Sequence, residues 1–255
     1  MAERLNSFVM PEGDTIFRTA RTLQRALGGH VVTKFITVLP KLARVDDQSP
    51  IAGQTIVRVH AAGKHFLIEF SGGLTLRTHM RMNGSWHIYR PGERWQRPRD
   101  DMRIVIETDA FVAVGFNIPV AEFTTESPQL GPDLLGETFD MDEALRRVRE
   151  HAHDEIANVL LNQRVVAGIG NISKSESLHA AGVDPFRQVK DLGDATIVNI
   201  LTIARKQLRA SANATSRVRH AVYQGKLCRK CGTRIEYRKQ GEDVRGTWWC
   251  PRCQR

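Results

Sequence analysis

CRKCGTRIEYRKQGEDVRGTWWCPRC (residues 228–253) holds every cysteine of the 255-residue chain. Cys228 and Cys231 form one CxxC knuckle, and Cys250 and Cys253 form a second after an eighteen-residue interval. Two thiolate pairs at this spacing suit a tetrahedral zinc ion held between the tips of two hairpins. Stretches 234–238 and 244–249 read as the short strands of a ribbon. The segment from Cys228 to Arg255 is too small to bury a core, so the metal would supply its folding energy. Four protein ligands leave no open position for chemistry, and one structural Zn2+ is expected. The ribbon is also where the charge lies. Residues 215–255 contain eleven Lys and Arg against three acids, in a chain of net charge +9. A compact basic module beside a metal motif points to a polyanionic partner whose phosphates it neutralises.

Outward from the ribbon, the composition is that of a globular protein. It is 41% hydrophobic and 25% charged, which excludes disorder, a collagen-like repeat or a disulfide scaffold. No apolar run approaches the ~20 residues of a membrane span. The opening MAERLNSFV is charged and lacks an apolar core, so it does not read as a secretory signal, and a cytoplasmic protein is expected. Ile16, Phe17, Ala20, Leu23 and Leu27 share one face of a helix over 14–27, with Asp14 as its cap and Gly28-Gly29 as its stop. Short apolar or alternating runs follow at 31–39, 54–60, 65–70, 74–78, 85–89, 102–108 and 111–114, punctuated by turn residues. This pattern predicts an antiparallel sandwich or barrel. After Gly131-Pro132-Asp133 the reading becomes helical, with clear periodicity over 141–151 and 195–208.

Two further stretches ask for chemistry. In LLNQRVVAGIGN (160–171), Gly168 and Gly170 flank an apolar residue between two helical patterns. Such a turn lets backbone N–H groups approach a phosphate at a helix entry, although it is also an ordinary way to connect helices. Near the start, MPEGDT (10–15) places a carboxylate beside a proline before a helix.

PEGDT, AAGKH (61–65), HMRMNGSW (79–86), LLNQRVVAGIGNISKSE (160–176) and the terminal RGTWWCPRCQ occur in this order. Together they resemble the formamidopyrimidine-DNA glycosylase/endonuclease VIII family, in particular its endonuclease VIII branch as found in actinobacteria. The resemblance runs from Met10 to Arg255. It implies an α+β multidomain fold: an N-terminal β-sandwich with flanking helices, a helix–two-turns–helix domain and a C-terminal zinc ribbon, with DNA between the domains. The divisions expected are an extension over 1–9 outside the mature protein, a catalytic sandwich over 10–132, a helical DNA-binding domain over 133–222 and the ribbon over 223–255.

The resemblance also implies an activity, that of a bifunctional DNA glycosylase and abasic-site lyase of base excision repair. The partner is damaged DNA, and the enzyme is expected to be a monomer of the cytoplasm and nucleoid. By similarity, the amine of Pro11 attacks C1′ of the damaged nucleotide and forms an iminium that serves as an electron sink. Glu12 opens the sugar and later moves protons, which calls for a carboxyl whose pKa burial has raised. Lys64 assists at the sugar and phosphate, Asn171 holds a backbone phosphate, and Arg245 clamps a phosphate and supports β,δ-elimination. Met82 is the wedge that fills the gap left by an extruded nucleotide, with Arg81 and Asn83 beside it. Gln129 aligns with a DNA-contacting position.

The chain departs from the family pattern at three places. Nine residues and Met10 precede Pro11, and an amide nitrogen cannot attack; translation from Met10 followed by methionine removal would free the amine. Thr15 stands where relatives often carry a carboxylate. VGFNI (114–118) replaces the arginine-bearing loop that faces the orphan base in the purine-directed branch, so oxidised pyrimidines are expected over oxidised purines. If the extension stays in place, the alternative is a non-catalytic zinc-ribbon protein that binds damaged or abasic DNA.

Overall fold

The computed structural model describes residues 12–214, 216, 218–242 and 244–255. They form two compact units. One is Ile16–Pro128; the other joins Glu12–Thr15 to Gln129–Arg255.

The first unit is a β-sandwich with helices. Helix α1 (Gly13–Leu27) leads to strand β1 (Lys34–Thr37), helix α2 (Pro40–Gln48) and strands β2 (Ile56–Ala62), β3 (His65–Phe70), β4 (Thr75–His79) and β5 (Ser85–Tyr89). Strands β6 (Met102–Glu107), β7 (Val112–Phe116) and β8 (Val120–Thr124) complete it. Every pairing is antiparallel, in two four-stranded sheets ordered β1-β6-β7-β5 and β2-β3-β4-β8. The core takes Ile56, Phe66 and Ile68 from one sheet and Trp86, Ile104 and Ala113 from the other. Helix α1 seals it with Ile16, Ala20, Leu23 and Leu27; Phe17, read from the sequence as part of the same stripe, is only half-buried and lies outside this core. Each Leu, Ile or Phe of this core contributes about 1.5–3 kcal/mol by its burial. Val105, Val114 and Phe116 face the other way, and Trp95 of the charged 90–101 loop covers them. All five residues of β7 are therefore buried.

Two elements escape the periodicity reading. Helix α2 buries Leu42 alone and starts at Pro40, which also ends β1 early, so the run read over 31–39 forms a strand only at 34–37. Strand β8 is a half-exposed edge with no continuous apolar signal. The reading of Asp14 as the cap of α1 is corrected as well. The helix begins at Gly13, and Asp14 lies inside its first turn, where it accepts from Thr15 N (2.7 Å) and from the Ser211 hydroxyl.

The second unit contains helices α3 (Met141–Arg149), α4 (Ile156–Leu161), α5 (Asn171–Ala181) and α6 (Asp194–Asn213), then strands β9 (Glu236–Gln240) and β10 (Arg245–Trp249). Helix α5 packs on α4, α6 and β10. Its buried residues are mostly polar: Asn171, Ser173, Lys174, Ser175, Ser177 and His179 beside Leu178. A helix buried through polar side chains must find hydrogen-bond partners for them, and much of the site described below consists of those partners. Strands β9 and β10 pair from Arg245–Gln240 to Trp249–Glu236, and the cysteine knuckles lie on either side of them. Among the described residues no helix is long and apolar enough to cross a membrane.

Candidate functional site

The second unit gathers Glu12, Asn171, Gln129, Arg245 and the four cysteines. Glu12 is 5% exposed, and its carboxylate sits on the N-terminus of α5. Oε1 accepts from Ile172 N at 2.6 Å; Oε2 accepts from Ser173 N at 3.1 Å and from Ser173 Oγ at 2.8 Å. Ser173 Oγ in turn accepts from Gly170 N at 2.8 Å. The three groups that donate to it stand at the positive end of that helix.

The Gly-Ile-Gly turn exists to let Glu12 in. A Cβ on Gly170 would lie 2.3 Å from Glu12 Cδ, and one on Gly13 would lie 2.8 Å from Gly168 O. Gly168 has φ +101°, a conformation that favours glycine. Gln163 shapes the loop from inside: its Oε1 accepts from Gly168 N at 3.0 Å, and its Nε2 donates to Leu161 O and Ile169 O, each at 3.0 Å. The N–H groups of Gly168, Gly170, Ile172 and Ser173 are thus satisfied within the protein. The sequence reading offered the backbone of this turn to a phosphate; the structure gives the anion place at the helix entry to Glu12.

Asn171 heads α5 and is buried, with its Oδ1 3.5 Å from Lys174 Nζ. Arg245 opens β10 opposite Gln240 and is exposed, as is Gln129. Glu176, on the next turn of α5, accepts from the backbone N–H groups of Ala221, Val222 and Tyr223 at 2.7–2.9 Å. This fixes the segment entering the ribbon and sets the Tyr223 ring 4.5 Å from that of Trp248. The Tyr223 hydroxyl ionises above its usual range, through burial first and then through the negative charge of Glu12.

The four cysteine sulfurs lie within 4.8 Å of one another, with Cys231–Cys250 at 3.5 Å and Cys228–Cys253 at 3.9 Å. Metal–sulfur bonds of about 2.3 Å in a tetrahedron require sulfurs ~3.8 Å apart, so the set fits a metal ion. Turn hydrogen bonds shape both knuckles: Gly232 N to Cys228 O (2.8 Å) and Gln254 N to Cys250 O (3.0 Å). His179 Nε2 lies 3.3 Å from Cys228 Sγ, and burial holds this imidazole's pKa below its ordinary value. A ligand cysteine thereby gains an outer partner from α5.

The first unit carries the other expected residues. Lys64 follows Gly63 (φ +56°) in the turn joining β2 to β3. The adjacent His65 meets His79 edge to face, with centroids 5.5 Å apart. Arg81, Met82 and Asn83 form the exposed tip of the turn after β4. Gly84 N donates to Met80 O at 2.8 Å to close that turn, and Arg81 takes φ +46°. His79 Nδ1 accepts from Arg81 N at 3.1 Å, which steadies the tip. Met82 is 67% exposed with no apolar cover. Pro11 lies outside the described residues. The sequence reading assigns no role to Gln163, Ser173, Lys174, Glu176 or His179, although the first four lie within the 160–176 stretch.

Family models match at two places: the formamidopyrimidine-DNA glycosylase N-terminal domain over residues 10–117 and the formamidopyrimidine-DNA glycosylase H2TH domain over residues 130–220. The probable endonuclease 8 2 of Streptomyces coelicolor is 37% identical, over 96% of this chain and 94% of its own length. The DNA-(apurinic or apyrimidinic site) lyase Nei2 of Mycolicibacterium smegmatis is 32% identical, over 96% of this chain and 99% of its own. Among solved structures, the Lactococcus lactis formamidopyrimidine-DNA glycosylase bound to DNA with an abasic site has the same fold. Its TM-score is 0.82 at 21% identity, over 96% of this chain and all of that one. Sequence and fold agree: this chain belongs to the formamidopyrimidine-DNA glycosylase/endonuclease 8 family.

Proposed function

We propose that this protein is a bifunctional DNA glycosylase and abasic-site lyase that removes oxidised bases, pyrimidines in preference to purines, and cleaves the strand by β,δ-elimination. The observation that carries this reading is the Glu12 carboxylate, which directly follows Pro11 in sequence and is seated by three donors on the helix that begins at Asn171. A free prolyl amine is largely protonated at neutral pH, with a pKa near 8 for a terminal amine. The Glu12 carboxyl group, next in sequence, is assigned to take that proton as the nitrogen attacks C1′ and then to deliver it to the ring oxygen as the sugar opens. The remaining N–H proton passes to the departing base as the iminium forms, and the iminium acidifies C2′, whose proton is then removed to expel the 3′ phosphate and start elimination.

Lys64, Asn171 and Arg245 are assigned to the flanking phosphates. Met82 is assigned to the gap in the duplex, with Arg81, Asn83 and Gln129 as further DNA contacts. Cys228, Cys231, Cys250 and Cys253 are assigned one zinc ion, which would hold the ribbon and with it Arg245. The pyrimidine preference is supported by the link between β7 and β8, where only residues 117–119 are available. Asn117 is drawn into a tight turn there, φ +49°, with its N–H on Asp101 O at 2.7 Å. So short a link cannot project an arginine pair toward an orphan base. The protein is read as a monomer of the cytoplasm, acting at the nucleoid on damaged DNA.

The chemistry needs a free nitrogen on Pro11, and this sets the test. Borohydride trapping on an abasic-site duplex is run with proteins beginning at Met1 and at Met10. A covalent adduct from the Met10 protein alone is the expected result. No adduct from either protein, with DNA binding intact, would establish the non-catalytic binder instead.

A further inference from the structure

Lys174 is 1% exposed, an unusual fate for an ammonium group. Its Nζ donates to Thr247 Oγ1 at 2.8 Å, to Gly246 O at 3.1 Å and to Asn171 Oδ1 at 3.5 Å. Two of these acceptors lie on the strand that Arg245 opens and one on the residue that heads α5. The network continues in one direction toward a half-buried carboxylate. Thr247 Oγ1, itself fully buried, donates to Gln240 Oε1 at 2.7 Å, and Gln240 Nε2 donates to Glu155 Oε2 at 2.7 Å. Every hydrogen in this chain points from the ammonium toward the Glu155 carboxylate, so the buried cation is connected to an anion through two neutral side chains. Asn158 Nδ2 holds the same carboxylate oxygen at 3.2 Å.

We infer that Lys174 is a positioning residue for the phosphate clamp made by Asn171 and Arg245, an inference that rests on the function proposed above. Because the ammonium accepts no hydrogen bond, it fixes the Asn171 amide with its oxygen inward. The NH₂ group is then the part of the side chain left to face an acceptor, as a phosphate oxygen requires. The same ammonium anchors the two residues after Arg245, so the start of β10 and the start of α5 are held at one point. A hydrophobic residue at 174 would preserve the packing and release both.

The test compares Lys174→Met, Asn171→Ala and the double variant with the wild type, on a duplex carrying a tetrahydrofuran abasic-site analogue. Affinity is measured across a salt series, and zinc content is measured in parallel. Lys174→Met is expected to weaken binding about 10- to 100-fold. It should also reduce the slope of log Kd against log salt by about one phosphate contact. The double variant should bind no more weakly than the weaker single variant, since both remove one device. Thr247→Val, which cuts the chain and keeps the volume, should move the salt slope in the same direction at unchanged zinc content, and it serves if Lys174→Met fails to fold. An unchanged slope, or losses that multiply in the double variant, would overturn the positioning role while leaving the enzyme reading intact. A wild type that does not bind this duplex would overturn both.

Discussion

Ser173 supplies two hydrogen bonds to the Glu12 carboxylate, one from its backbone N–H and one from its hydroxyl. The residues are 161 positions apart in sequence, yet they form a helix cap: Glu12 takes the place at the N-terminus of α5 that a neighbouring Asx or Ser side chain ordinarily fills. The acid expected to move protons is therefore held rigidly by the helix that bears the expected phosphate contact.

Gly170 is the position most sensitive to this arrangement. In Gly170→Ala the added methyl meets Glu12 Cδ at 2.3 Å, and a carboxylate pinned by three donors cannot step aside without losing them. The expected result is a base-excision rate reduced by ~10²–10⁴, the range associated with loss of a general acid or base. Ser173→Ala removes one hydrogen bond to a charged group, worth about 1.5–3 kcal/mol, and should fall between this variant and the wild type. Single-turnover rates on a duplex with an oxidised pyrimidine check the order.

Met82 offers a case in which stability and activity separate. Its side chain is 67% exposed at a turn tip, so Met82→Ala should leave the unfolding free energy within about 0.5 kcal/mol of the wild type. Extruding a nucleotide costs a few kcal/mol, and a wedge recovers part of that. The variant is accordingly expected to excise the base about tenfold more slowly. Excision at the wild-type rate would show that Met82 is an ordinary hairpin residue.

The sequence announces some of this architecture and conceals the rest, for physical reasons. The metal site was legible because ligand count and knuckle spacing are local properties of Cys228, Cys231, Cys250 and Cys253. The α1 stripe and most strands were legible because one-sided burial imposes a period. Helix α2 was not, since it buries only Leu42, and neither was β8, an edge with no fully buried residue. The cap between Glu12 and Ser173 was invisible because no spacing rule spans such a distance. Lys174 stood in a quoted motif, but nothing local distinguishes a buried lysine from a solvated one. Its partners Thr247 and Gln240 become neighbours only when β10 packs on α5.

Metal removal tests the ribbon. The cluster of Val222, Cys228, Ile235 and Cys250 is too small to hold residues 223–255 unaided. The wild type is expected to carry one zinc per chain by elemental analysis. Chelation, or Cys250→Ser, should unfold the ribbon and abolish DNA binding, while the sandwich unit keeps its strand signal in circular dichroism. Full activity in a metal-free protein would remove the zinc assignment.

One source of acid sensitivity lies in the sandwich. His60, His65 and His87 all titrate below the usual histidine value of 6.5, in each case chiefly because burial disfavours the charged ring. Arg58, Arg77 and Arg97 respectively push in the same direction, while Glu69 opposes the effect at His60 and Glu122 opposes it at His65. The unfolded chain therefore binds protons first as pH falls. Stability rises with pH wherever the unfolded state holds more protons, so the contribution of these rings is complete above about pH 6.5 and declines as pH drops through their lower folded values. Urea unfolding at pH 7.5, 6.5 and 5.5 should show a falling midpoint. His87→Gln, which keeps a polar group beside Ser85 and Tyr89 but cannot take up a proton in this range, should flatten part of that decline. A midpoint that stays constant over this interval would mean that the three imidazoles are solvated more freely than their burial indicates.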